Sequence, residues 1–278
     1  MVKKKLCLII IIFLVISSFI NVSSGKYNPI KKESKKSSIS LFDFKFGIVN
    51  GRVFIYQTPD SFPPDEGYPV LFLFHGATQR SFSWFFKTNP WSMLQTELKD
   101  KAVERGFLVI AASSLRPYFI GPRAWDVFDK TQNNIDLVLV NNLISWLNIS
   151  DLEVDLNNLF CAGFSSGAFM TSYLGIYQGA SFNAICAHSG AYADSINIDL
   201  QPLFDTDSAI DIPETHPPTV LVHGEKDSIV PVNCSYHYYS EMVDQGFDCE
   251  LLINPEGEHI WQDMFSDDIL DFFESHLE

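Results

Sequence analysis

From Phe44 to Tyr56 the chain alternates apolar and polar positions on either side of Asn50-Gly51. That dipeptide suits the positive φ angles of a two-residue turn, so the segment reads as a β-hairpin. Beyond it the alternation stops. Short apolar runs at Val70–Phe74, Phe107–Ala112, Asn158–Ala162, Asn183–His188, Thr219–His223 and Glu250–Ile253 predict strands. Between them, Trp91–Arg105, Asn134–Leu147, Ser166–Tyr177 and Cys234–Gln245 read as helices, and Ile260–His276 as a terminal helix. Strands that are apolar on consecutive positions are buried on both faces, which calls for a parallel sheet between two helical layers. The expected fold is therefore α/β: a mostly parallel central sheet, an N-terminal antiparallel hairpin, and helices on both faces. No internal repeat or second linker interrupts residues 43–278, which are expected to form one domain.

The N-terminus has a different pattern. Lys3, Lys4 and Lys5 precede an apolar run of 15 positions, Leu6–Ile20, broken only by Ser17 and Ser18. Small residues follow at Val22, Ser23 and Ser24. This is the layout of a signal peptide over residues 1–24, cleaved near Gly25. An uncleaved anchor is the rival, but the run falls short of the roughly 20 residues that span a bilayer. Residues 25–42 are polar, rich in Lys and Ser, and read as a flexible leader. Cleavage removes three lysines and no acid, taking the net charge from -15 to -18. Such an acidic chain repels phosphate backbones and anionic lipid, so neither nucleic acid nor, after cleavage, a membrane is expected as a partner. The expected location is extracellular.

Four cysteines remain after cleavage, and an oxidising compartment would allow them three full pairings. Cys161 and Cys186 fall in apolar strand-like runs and read as small buried hydrophobes. Cys234 and Cys249 bracket one helix and the approach to the next strand and are the preferred bridge. Asn148-Ile149-Ser150 and Asn233-Cys234-Ser235 are possible glycosylation sequons.

Chemistry in an open α/β sheet gathers at the C-terminal ends of the strands, and four such ends here carry suitable residues. Gly163-Phe164-Ser165-Ser166-Gly167 lies between a strand and a helix, as a nucleophile elbow does, with Ser165 lifted above the sheet on a tight turn. A serine hydroxyl needs a base, and the base an orienting acid. Asp227 lies on the loop after the strand Thr219–His223. His259 lies on the loop after the last strand. The chain order Ser165, Asp227, His259 is that of the α/β-hydrolase fold. At the fourth strand end, His75-Gly76-Ala77-Thr78-Gln79 is placed to supply an oxyanion donor. The Ala77 and Ser166 N–H groups are the expected pair.

The blocks His75–Gln79, Gly163–Met170, His223–Pro231 and Glu258–Trp261 resemble those of the secreted esterases related to polyhydroxybutyrate depolymerases and feruloyl esterases. The resemblance runs from about Phe46 to Trp261. It implies a serine carboxylesterase acting on small or oligomeric esters, hydroxyalkanoate-type or feruloyl and other acyl esters, with neither metal nor organic cofactor. A catalytically silent binding module and a serine peptidase on the same fold are the alternatives.

Competing roles narrow the choice of base. His75 and His223 end strands and read as packing or loop-fixing residues; His216 lies in an acidic stretch, and His237 and His276 on helices. No histidine pair at i, i+4 has a third ligand nearby, so no zinc site is expected. Aromatics crowd two loops: Phe82, Trp84, Phe85, Phe86 and Trp91, then Tyr118, Phe119, Trp125 and Phe128. Most read as core; Trp84 and Trp125 are the candidates for a substrate pocket. The acidic stretch Asp194–Glu214 reads as a lid or a solvated loop.

Overall fold

The hairpin forms where the alternation placed it. Strands β1 (Lys45–Val49) and β2 (Arg52–Gln57) pair antiparallel and close at Val49↔Arg52. Asn50 and Gly51 take φ values of 51° and 70°, which match the right-handed twist of the flanking strands. This computed structural model describes residues 44–77, 93, 96–115, 124–196 and 204–278, all within the unit Phe42–Glu278. The expected signal peptide, the leader and Trp84 lie outside the described residues.

The other strands are β3 (Tyr68–Phe74), β4 (Leu108–Ala112), β5 (Val154–Phe164), β6 (Ala184–His188), β7 (Thr219–Gly224) and β8 (Cys249–Asn254). Among the described residues they form one eight-stranded sheet in the order β1-β2-β4-β3-β5-β6-β7-β8. Strand β2 runs antiparallel to β4, and every pair from β4 to β8 is parallel.

Because side chains alternate across a strand, the buried runs feed two cores. Val70, Phe72 and Phe74 point to one face, with Ile110 and Cys161 beside them. Helices α2 (Ile135–Ile149) and α3 (Ser166–Tyr177) cover that face with Leu139, Val140, Leu143, Met170 and Tyr173. Leu71, Leu73, Phe160 and Cys186 point to the other face. There α1 (Glu97–Glu104) and α5 (Ser266–Glu274) supply Leu98, Ala102, Ile269, Leu270 and Phe273. Helix α4 (Asn233–Asp244) packs Tyr238 and Met242 against Leu221 of β7.

Helix starts follow their caps. The Asn134 side chain accepts from the N–H groups of Asp136 and Leu137, and Thr96 from that of Lys99. A buried ion pair between Arg52 and Asp136 ties the hairpin to α2, and Arg52 Nη2 also donates to the Ile135 carbonyl at 3.0 Å.

Two expectations need correction. The terminal helix begins at Ser266, not Ile260, because the intervening residues hold a fixed loop described below. The preferred disulfide is not made: Cys234 and Cys249 are free thiols, as are Cys161 and Cys186. Cys234 sits in the first turn of α4 and packs with Ala191 and Val230, whereas Cys249 opens β8 beyond the other end of the helix. A helix of 12 residues separates its ends by about 18 Å, while a disulfide needs Cα atoms about 4.4–6.8 Å apart. Cys161 and Cys186 are buried on opposite faces of the sheet, as small hydrophobes.

Candidate active site

Strand β5 delivers Ser165 at its end. The residue has φ 53° and ψ −117°, a strained conformation for a side chain with a Cβ. Its N–H donates to the His188 carbonyl at the end of β6 (2.9 Å), and its carbonyl accepts from Ala168 and Phe169 in the first turn of α3. The two glycines of the motif have a specific steric cause. A Cβ on Gly163 would lie 2.1 Å from the Gly167 carbonyl oxygen, and one on Gly167 would lie 2.0 Å from that of Phe74. Only glycines let helix α3 press this close to β3 and β5, which is what makes the turn tight enough to raise Ser165.

The three residues nominated by the sequence are brought together. Ser165 Oγ is 3.0 Å from His259 Nε2, and His259 Nδ1 is 2.6 Å from Asp227 Oδ2. The Asp227 side chain is fully buried, and its Oδ1 accepts the N–H groups of Ile229 (2.8 Å) and Val230 (2.9 Å). Burial alone would raise its pKa, but the hydrogen bonds from His259, Val230 and Ile229 outweigh it and hold the carboxyl below its ordinary range. An ionised Asp227 accepting from Nδ1–H leaves Nε2 of a neutral His259 free to accept from the Ser165 hydroxyl. The arrangement can therefore move a proton from Ser165 to His259.

The loops bearing Asp227 and His259 are joined along their backbones. Lys226 N–H donates to the Gly257 carbonyl and Glu225 N–H to that of Asn254, each at 2.8 Å. A Cβ on Gly224 would lie 2.4 Å from the Gly257 carbonyl oxygen, so this approach also depends on a glycine.

At the end of β3, Gly76 touches the elbow: a Cβ there would stand 3.5 Å from Ser165 Cβ. The next residue, Ala77, is exposed. Neither the Ala77 nor the Ser166 N–H has a hydrogen-bond acceptor among the described residues. Among the described residues Trp125 packs into the core rather than lining a pocket, contrary to expectation. It is 2% exposed, packs edge-on against Phe74, and donates its indole N–H to the His75 carbonyl at 2.8 Å. Its own N–H donates to Ser166 Oγ at 3.0 Å. The indole braces the loop from behind.

Two contributors escaped the sequence reading. His188 is fully buried at the end of β6, where its Nε2 accepts the Gln262 N–H at 2.8 Å and its ring stacks on Trp261. Gln262 then donates from its side chain to the Glu258 and Ile260 carbonyls. This fixes the loop after His259 and delays α5. Burial, then the neighbouring His223 and His259, keeps the His188 pKa well below its ordinary value. The signal was a histidine ending a third strand. His223 acts as a loop-fixing residue, as expected: Nδ1 meets Ser235 Oγ at 2.7 Å, Nε2 meets the Val230 carbonyl at 3.0 Å, and Asp227 Oδ2 lies 3.3 Å away.

Where it is described, the acidic stretch is a surface loop, exposed at Asp207, Ser208, Ala209, Asp211 and Glu214, and anchored at two points. Ile210 and Ile212 are buried against α4, and their N–H groups donate to Glu241 and Gln245. The sequon asparagines Asn148 and Asn233 are exposed. No group of three His, Cys, Asp or Glu side chains among the described residues is arranged to hold a metal ion.

Comparison with known proteins agrees with this architecture. By sequence the chain is similar to a poly(3-hydroxyoctanoate) depolymerase of Pseudomonas fluorescens, 26% identical over 233 residues covering 83% of this chain and 82% of that one. It is also similar to a probable dipeptidyl-peptidase 5 of Aspergillus clavatus, 22% identical over 86% of this chain, but it spans only 36% of that protein. Among solved structures, esterase PE8 superposes with a TM-score of 0.56 at 18% identity, over 80% of this chain and 97% of that one. Acetyl xylan esterase from Aspergillus awamori gives 0.59 at 15% identity, over 83% and 98%. At these identities the two structures bear on the fold alone. A family model described as phospholipase/carboxylesterase matches residues 124–277, just over half of the chain. The chain belongs to that family, and is a hydrolase of the esterase type on the α/β-hydrolase fold.

Proposed function

We propose that the chain is a serine carboxylic-ester hydrolase in which Ser165, His259 and Asp227 form the catalytic triad. The observation that carries this reading is the continuous relay from Ser165 Oγ through His259 to a buried Asp227, with contacts of 3.0 and 2.6 Å. Ser165 attacks the ester carbonyl while His259 takes its proton and then returns it to the leaving alcohol. Asp227 holds the imidazole in the working tautomer and stabilises its charged form. The N–H groups of Ala77 and Ser166 receive the oxyanion, and water releases the acyl group by the same steps. A base that accepts a proton must begin neutral, so kcat/KM falls on acidification.

The substrate class is a hydroxyalkanoate-type or feruloyl or other acyl ester. Similarity to a poly(3-hydroxyoctanoate) depolymerase supports the first. Residues 1–24 act as an export signal and 25–42 as a leader to a single catalytic domain, 43–278, working outside the cell, with Asn148 and Asn233 open to glycosylation. The similarity to dipeptidyl-peptidase 5 favours a second reading, a peptidase built on the same relay.

The test is a hydrolysis panel on the purified chain and its Ser165→Ala variant: short- and medium-chain p-nitrophenyl esters, methyl ferulate, soluble hydroxybutyrate oligomers and a peptide anilide. Ester turnover that vanishes in the variant is the expected result. Undiminished turnover by Ser165→Ala sinks the serine assignment, and preference for the anilide moves it to the peptidase.

A further inference from the structure

Resting on that reading, we propose that His75 is a positioning residue for the oxyanion donor. Its ring holds the Gly76 carbonyl and so aims the Ala77 N–H at the oxygen that becomes negative when Ser165 attacks.

The tautomer follows from the neighbours. His75 is 1% exposed, and the Ser114 N–H donates to its Nε2 at 3.1 Å. An incoming N–H requires a lone pair, so Nε2 carries no proton and the neutral ring carries it on Nδ1. Nδ1 lies 2.7 Å from the Gly76 carbonyl oxygen and donates to it. That carbonyl and the Ala77 N–H belong to one trans peptide unit, in which they point in opposite directions. Drawing the oxygen toward the buried ring therefore turns the N–H outward, where it has no acceptor among the described residues.

The peptide before Gly76 is also held, since the Trp125 indole donates to the His75 carbonyl. Side chains thus clamp both peptide units around Gly76, where an added Cβ would stand 3.5 Å from Ser165 Cβ. A glycine needs such clamps: without a Cβ, its following peptide turns over at low cost. Turned over, it would present a carbonyl oxygen to the developing oxyanion and replace an attraction by a repulsion. Ser165, His259 and Asp227 would be untouched, yet the transition state would lose a donor.

Two substitutions separate the ring nitrogens. In His75→Asn the amide nitrogen falls near the position of Nδ1 and can still donate to Gly76. In His75→Gln the side chain ends near Nε2; it can accept from Ser114 but leaves the Gly76 carbonyl unheld. With p-nitrophenyl butyrate, His75→Gln is expected to lower kcat about 10- to 100-fold with KM within roughly twofold. Its affinity for phenylboronic acid, whose tetrahedral serine adduct places an oxygen between the same donors, should fall by a similar factor. His75→Asn should regain most of the lost kcat.

Wild-type kcat and boronate affinity in a folded His75→Gln overturn the proposal. So do equal losses in both variants that simply follow their melting temperatures. Should neither variant fold, imidazole 15N NMR of the wild-type chain decides: a proton on Nδ1 is expected, and one on Nε2 overturns the proposal. Ser165→Ala is assayed alongside. Hydrolysis persisting there defeats the serine reading itself, whereas an inactive Ser165→Ala with a fully active His75→Gln defeats only the role of His75.

Discussion

Gly167 shows how little room surrounds Ser165. Its missing Cβ would lie 2.0 Å from the Phe74 carbonyl oxygen, which is backbone and cannot swing aside. Gly167→Ala should therefore cost about 1–3 kcal/mol of stability and most of the esterase activity, read by urea melts and p-nitrophenyl ester turnover. A fully stable, active variant would show that the elbow has slack. This residue was legible in the sequence because the requirement is local: a strand must turn into a helix within a few residues, and the two glycines stand where the backbones meet. Trp125 was illegible for the opposite reason. An aromatic following a strand can face a pocket or the core. What decides here is the His75 carbonyl, 50 residues away in sequence.

Charge pairs that look alike in sequence differ in weight once elements are packed. Arg105 reaches Asp267, Asp271 and Glu274 across the α1–α5 contact, but those carboxylates are exposed. Water and salt screen such contacts, so Arg105→Ala should cost roughly 1 kcal/mol or less, shrinking at high salt. Arg52 and Asp136 are almost completely buried where the hairpin meets α2. Burial pushes the Asp136 carboxyl up while Arg52 opposes that shift, and removing Arg52 would strand a charge in the core. Arg52→Ala should cost about 3–5 kcal/mol; denaturant midpoints of the two variants at low and high salt test the contrast. Hydropathy revealed the elements but not these pairings, which join residues far apart in the chain. The misplaced start of α5 has the same origin. Ile260–Ser266 carries helical spacing, yet His188 claims the Gln262 N–H from the end of another strand.

Across the whole molecule, burial sets the response to acid. His188, His216 and His223 are all held below the ordinary histidine pKa of 6.5, chiefly by burial, with His216 at about 4. The unfolded chain then takes up protons that the folded chain refuses. Stability is accordingly full above pH 6.5 and falls as pH drops toward 4, by up to about 1.4 kcal/mol per pH unit for each histidine. Asp227 adds to this only further down: its pKa lies below 3.8, so its contribution is lost in still more acid solution. Urea midpoints measured from pH 8 to 4 should decline below 6.5; a flat profile would contradict the buried neutral state of these rings. The mostly parallel sheet with its antiparallel hairpin and the succession of the three relay residues were readable from strands and loops, whereas the strand order was not. The role of the strand-end histidines was only half readable, because a ring nitrogen declares its partner only after the loops are closed over it.

The conformation of Ser165 carries a last consequence, for evolution in the laboratory. Its positive φ burdens any residue with a Cβ, and alanine is no easier there than serine. Ser165→Gly should be more stable than Ser165→Ala, by on the order of 1 kcal/mol, while having no hydroxyl to attack with. On the proposed serine mechanism, a library of this chain sorted for heat resistance alone would therefore enrich a hydrolase that hydrolyses nothing. On that mechanism, selection for turnover is what keeps a serine at the position where the fold would settle for glycine.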